Sequence, residues 1–150
     1  MIDIFDDIDE LQTRLNVTRF FKKTLDRLYL LSGHSLKSPQ ITGLPGSHRD
    51  DRVETEIVAG IDAGAMLDAV SSALQSLPLD EMTVLISFYI KHQTWEATKQ
   101  EIHRGDKQLS KIAKQARLDF ADSFSYWQRK YGIEKIYDLH AYKKDEETAQ

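Results

Sequence analysis

The chain has 150 residues, of which 41% are hydrophobic and 29% charged, the balance of one globular domain able to build a core of its own. It has no cysteine, which excludes a disulfide framework, a zinc ribbon, an iron–sulfur cluster and a cysteine nucleophile, and fits a reducing cytoplasm. The net charge of −4 excludes a uniformly basic nucleic-acid binder, and no apolar run approaches the length of a membrane span.

The start, MIDIFDDIDE, is acidic where a signal peptide would be basic. Residues 3–31 read as helical. Ile4, Ile8, Leu11 and Leu15 recur at helical spacing and form a narrow apolar seam. A second stripe, Phe21, Leu25 and Leu28, is out of phase with it, so a bend is expected near Asn16-Val17-Thr18, all weak helix formers. The seam has two readings. It meets a second helix, which makes a homodimer through the N-terminal helix, or it folds back on the chain's own core.

Gly33 suits a helix C-cap, and residues 32–49, with three glycines and two prolines, read as an irregular loop. A second long helix is expected over 50–77, capped by Asp50 or Asp51, with Val53, Ile57, Ile61, Leu67, Val70, Leu74 and Leu77 on one face. Pro78 ends it. A third helix, 80–91, carries Met82, Leu85, Ile86, Tyr89 and Ile90. Thr94 is the N-cap of a short fourth helix, WEATKQEIH, and Trp95 is expected to pack with Tyr89 and Phe124. Arg104-Gly105-Asp106 makes a turn, and a long fifth helix runs from about 107 to 131, with Leu109, Ile112, Ala113, Ala116, Phe120, Phe124, Trp127 and Tyr131 inward. Gly132 stops it. Ile133, Ile136, Leu139 and Tyr142 are expected to dock as a short final helix, followed by a disordered tail. The fold class is all-α. Three parts are expected: a helical extension and loop over 1–46, a helical domain over 47–132, and a short helix and tail over 133–150.

The stretch TWEATKQEIHRGDKQLSKIAKQARLDF is short helix, tight turn, longer helix, the layout of a helix-turn-helix near 94–117. In that unit the second helix enters the major groove. Within 91–117 seven bases stand against three acids, a local net charge of +4 on an acidic protein. The candidate DNA-binding residues are Thr94, Lys99, Arg104, Lys107, Gln108, Ser110, Lys111, Lys114 and Gln115. Lysine contacts phosphate and donates to guanine, and glutamine bonds adenine in a bidentate pair. The same pattern also fits a helical hairpin with a solvated lysine-rich face.

LPLDEMTVLISFYI, TWEATKQEIH and DKQLSKIAKQARLDFA together resemble region 4 of sigma factors. With LYLLSG, SPQITGLPG, DRVETEIV and ARLDFADSFSYW, the chain is similar to the ArpU-type phage transcriptional regulators of Gram-positive bacteria over most of residues 20–131. Two departures stand out. Thr98 and Lys99 occupy the place of an apolar pair, and the turn is Arg-Gly-Asp. The resemblance implies double-stranded DNA as the target, control of late phage or prophage genes in the bacterial cytoplasm, and host RNA polymerase as a further partner. Alternatives are a small terminase-like packaging subunit and a protein-interaction module without DNA contact.

No enzyme motif is present. Arg104-Gly105-Asp106 is a turn and His48-Arg49-Asp50 lacks the other parts of a kinase site. The five histidines have no metal-ligand spacing, and neither a P-loop nor GxGxxG occurs, so neither metal nor cofactor is expected.

Overall fold

The computed structural model describes residues 7–33 and 62–143, and among them the fold is all-α. Asp9 opens the first helix by accepting the Gln12 N–H on its carboxylate at 3.0 Å. Helix α1 is Glu10–Arg19; it continues through a π turn, π1 (Phe20–Thr24), into α2 (Leu25–Ser32). Gly33, at φ 81°, closes the run in the left-handed conformation that glycine adopts without strain. The bend expected near Asn16 is absent. The Phe20 N–H reaches Asn16 O and Val17 O, and the irregularity falls instead at π1, where both Phe20 and Phe21 are buried.

The buried stripe of this run is Thr13, Val17, Phe20, Phe21, Leu25 and Leu28. Leu11 and Leu15 lie off that stripe, 61% and 48% exposed, and Ile8 is half-buried. The seam therefore does not fold back on the chain's own core at those leucines; Ile4 lies outside the described residues.

Helix α3 is Ala63–Gln75, with Asp62 as its cap: the Ala65 N–H donates to Asp62 Oδ1 at 2.9 Å. Asp62 is not helical (φ −92°, ψ 89°), so no single helix spans 50–77 as expected. Val53, Ile57, Ile61 and the expected Asp50 or Asp51 cap lie outside the described residues. Pro78 separates α3 from α4 (Leu79–Leu85), which runs on into a second π turn, π2 (Ile86–Ile90). Helix α5 is Trp95–Ile102 and α6 is Asp106–Lys130. Gly132, at φ 78°, ends α6.

Helix α6 is the axis of the molecule. From Ala116 onward it gives Ala116, Phe120, Ala121 and Phe124 to the main core, where they meet Phe20 and Phe21, Leu85, and Ala69, Val70 and Ala73 of α3. Phe120 lies 4.7 Å from Phe21 and 5.3 Å from Phe124, ring centre to ring centre.

The short final helix expected after Gly132 does not form. Residues 133–143 form a non-helical strap. Fully buried Gln128 binds it as a strand neighbour would, with Nε2 donating to Tyr137 O at 2.9 Å and Oε1 accepting from Tyr137 N at 2.7 Å. Leu139 enters the core, and the strap then pairs with the N-terminus through an antiparallel bridge between Ile8 and Tyr142. Asp9 N donates to Ala141 O at 2.9 Å, and Asn16 Nδ2 to Leu139 O at 3.1 Å. Backbone groups that would have bonded within a helix are satisfied across the chain instead. No described helix is long and apolar enough to cross a membrane.

Candidate nucleic-acid interface

Two helices and a tight turn stand on their own small core. Val84 of α4, Ile102 of α5 and Leu109 of α6 are buried together, with Phe88, Ile112 and Ala113 packed around them. Thr94 caps α5 as expected, accepting the Ala97 N–H on Oγ1 at 3.1 Å. Thr98 is fully buried where the sigma-like pattern has an apolar residue, and its hydroxyl donates to Thr94 O at 2.9 Å, so the polar atom is satisfied inside the helix. Helix α5 ends at His103 in the left-handed region (φ 57°), with the Arg104 N–H returning to Lys99 O. Gly105 is the N-cap residue of α6 in ordinary extended conformation, so the reversal is carried by His103 and not by the glycine.

Trp95 does not reach Tyr89 or Phe124 as expected. It stacks on Phe88, centroids 5.8 Å apart and planes 8° apart, while Tyr89 stacks on Phe21. Phe124 sits eighteen residues into α6, about 27 Å along its axis from Asp106. The Trp95 indole N–H instead donates to Asp106 Oδ1 at 2.7 Å.

The candidate cations divide into two groups. Lys99 is half-buried and bonded to Glu96 (3.3 Å) and Asp106 (3.0 Å). The Trp95 N–H first, then Lys99, hold the Asp106 carboxyl below its ordinary range, and Asp106 first, then Glu96, raise the Lys99 ammonium. Arg104 pairs with Asp80 at 3.2 Å. Lys107, Lys111 and Lys114 are exposed and pair with no acid among the described residues. At 100° per residue these three fall within an arc of about 60°, opposite Leu109, Ala113, Ala116 and Phe120.

Gln108 is exposed on one flank of that face, beside Gln115, whose amide donates to Asp119 Oδ1 at 2.9 Å. Ser110 is half-buried on the other flank. The sequence-predicted site is thus brought onto one helix-turn-helix, with Thr94, Lys99 and Arg104 engaged in holding it and Lys107, Gln108, Lys111 and Lys114 projecting.

Two features escaped the sequence reading. Arg117, on the Ser110 flank, donates through Nε to Ala113 O (3.2 Å) and through Nη1 to Thr18 Oγ1 (3.1 Å), joining the helix-turn-helix to the N-terminal run. Glu81, in the first turn of α4, has a buried Oε1 without a hydrogen-bond partner among the described residues. Its burial and the neighbouring Asp119 push its carboxyl up to about 8. Neither is visible in spacing, because Thr18 and Asp119 lie on different helices from the side chains they meet.

Compared with protein-family models, with curated proteins and with solved structures, the chain matches none.

Proposed function

We propose that this protein is a sequence-specific, DNA-binding transcriptional regulator that reads duplex DNA with the N-terminal half of α6. The observation that carries the reading is the lysine face of α6, three cations on a helix-turn-helix without acid partners among the described residues, while neighbouring Lys99 and Arg104 are neutralised by Asp106 and Asp80. Exposed lysines gathered on one helical face are suited to neutralise phosphates, and exposed Gln108 beside them is the residue proposed to meet a base edge. Ser110 and Gln115 flank the same face of α6, and Thr94 caps the helix that precedes it. The resemblance to ArpU-type regulators and sigma region 4 makes late phage or prophage genes the proposed target and RNA polymerase a proposed second partner.

A second copy of the chain is the partner proposed for the N-terminal helix. Leu11 and Leu15, four residues apart and exposed, present an apolar pair to solvent. Paired half-sites give a single helix-turn-helix the specificity it lacks alone.

The experiment is binding of labelled duplexes to the full chain, first random sequence and then the DNA neighbouring its gene. A salt-dependent affinity supports the reading. Absence of duplex binding at low salt leaves the protein-interaction module in its place, and a ring-sized mass in solution favours the packaging subunit.

A further inference from the structure

The two π turns face one another. π1 and π2 contribute Phe21, Lys22, Phe88 and Tyr89 to the lining of one open cleft, and α5 and α6 add Trp95 and Arg117. The cleft has a volume of about 380 Å³, within the range of about 300–1,000 Å³ typical of small-ligand sites. A π turn inserts a residue into a helix at a cost in hydrogen-bond geometry, and such turns concentrate at functional sites. Here both deliver an aromatic ring to the same opening.

The rings are held in order. Phe21 and Tyr89 stack at 4.9 Å with planes 6° apart, and Phe88 and Trp95 stack at 5.8 Å and 8°. Trp95 remains 38% exposed. The Tyr89 hydroxyl is 3.3 Å from Thr18 Oγ1, which also accepts from Arg117, so ring and guanidinium are fixed through one side chain. Arg117 is half-buried, yet no carboxylate pairs with it among the described residues, and Lys22 on the same cleft is likewise unpaired. A partly desolvated guanidinium bonded only to neutral oxygens favours an anion.

We propose that this cleft binds a small planar aromatic anion, its ring against the aromatic lining and its carboxylate or phosphate at Arg117 and Lys22. The site is distinct from the lysine face: Arg117 lies on the flank of α6, between that face and the packed one. A ligand there touches the N-terminal run, π2 and the helix-turn-helix at once. The proposal does not depend on DNA binding, and its test uses no DNA.

The full chain is titrated calorimetrically with para-hydroxybenzoate and, separately, with adenosine monophosphate; their neutral counterparts, para-hydroxybenzamide and adenosine, serve as controls. Saturable binding of either anion, at least about tenfold tighter than its neutral counterpart, supports the proposal, and the arm that binds identifies carboxylate or phosphate as the charged group. Lys22 is exposed, so Lys22→Glu leaves the fold intact and weakens the anion by about tenfold or more. No saturable binding of either anion at millimolar concentration, equal binding of anion and neutral counterpart, or an unchanged affinity in a folded Lys22→Glu protein would each overturn it.

Discussion

Lys99 Nζ lies 3.0 Å from Asp106 Oδ1, so the lysine of the first helix is tied to the opening residue of the second. The Trp95 indole N–H shares the same oxygen. This lock fixes the turn, and it also spends a cation and places a negative charge beside the lysine face of α6. Asp106→Asn keeps an acceptor for Trp95 and removes the charge. The variant is expected to bind random duplex more tightly than wild type, with a log–log salt slope steeper by roughly 1. Anisotropy titrations at several salt concentrations read both. Equal affinity at low salt would mean that Asp106 is remote from the DNA.

Phe120 is fully buried and touches Phe20 and Phe21 of π1 and Phe124 of its own helix. Phe120→Ala leaves a cavity where α1, π1 and α6 meet. The expected loss is about 3–5 kcal/mol in urea unfolding, against a total stability on the order of 5–15 kcal/mol. A midpoint equal to wild type would mean that this core is not formed in solution.

Stability should fall as pH rises, from two sources. The His140 ring sits between Asp122 and Asp138, 2.6 Å from each, and Asp122 foremost holds its pKa above 6.5. Glu81 is raised from 4.5 to about 8. Both groups bind their proton more tightly folded than unfolded, so each stabilises fully below its unfolded value and loses that contribution as pH rises through the folded one. For Glu81 the window is about 4.5 to 8; for His140 it begins near 6.5. Melting temperature against pH should decline in wild type, less in Glu81→Gln or His140→Gln, and least in the double variant. Amide exchange at Ala141, which donates to Thr13, should speed up with His140 deprotonation beyond the intrinsic rise. A decline identical in all four proteins would contradict the assignment.

The helices and their caps were legible because they are local. Thr94, Pro78, Gly33 and Gly132 act within a turn of their own positions, and the inward stripe of α6 follows from period as far as Trp127; Tyr131, expected inward, is instead the exposed C-cap. What period could not convey lies between segments. Gln128 reads as one more polar helix residue until Tyr137 bonds both ends of its amide, and that pairing makes 133–143 a strap where apolar spacing predicted a helix. The π turns leave no mark in composition, so apolar spacing puts the phase change at Asn16 where the structure has it at Phe20. In the candidate site, lysine spacing located the exposed face correctly, but the neutralisation of Lys99 and Arg104 depends on Asp106 and Asp80, whose positions only the fold determines.

The exposed Leu11 and Leu15 predict self-association. The full chain is expected to scatter light as a homodimer at micromolar concentration, and Leu11→Lys with Leu15→Lys to scatter as a monomer of unchanged helicity. Point substitution is the right test. Deleting residues 1–16 would also remove Asp9, Thr13 and Asn16, which hold the strap. A wild-type monomer would contradict the dimer.

The most direct measurement is the salt dependence of duplex binding by wild type and by the variant Lys107→Ala, Lys111→Ala, Lys114→Ala, with melting curves to confirm the fold. If these lysines neutralise phosphates, the variant binds every duplex more weakly and its log–log slope is shallower by roughly 3. A folded variant with the wild-type slope and affinity would contradict DNA recognition by α6.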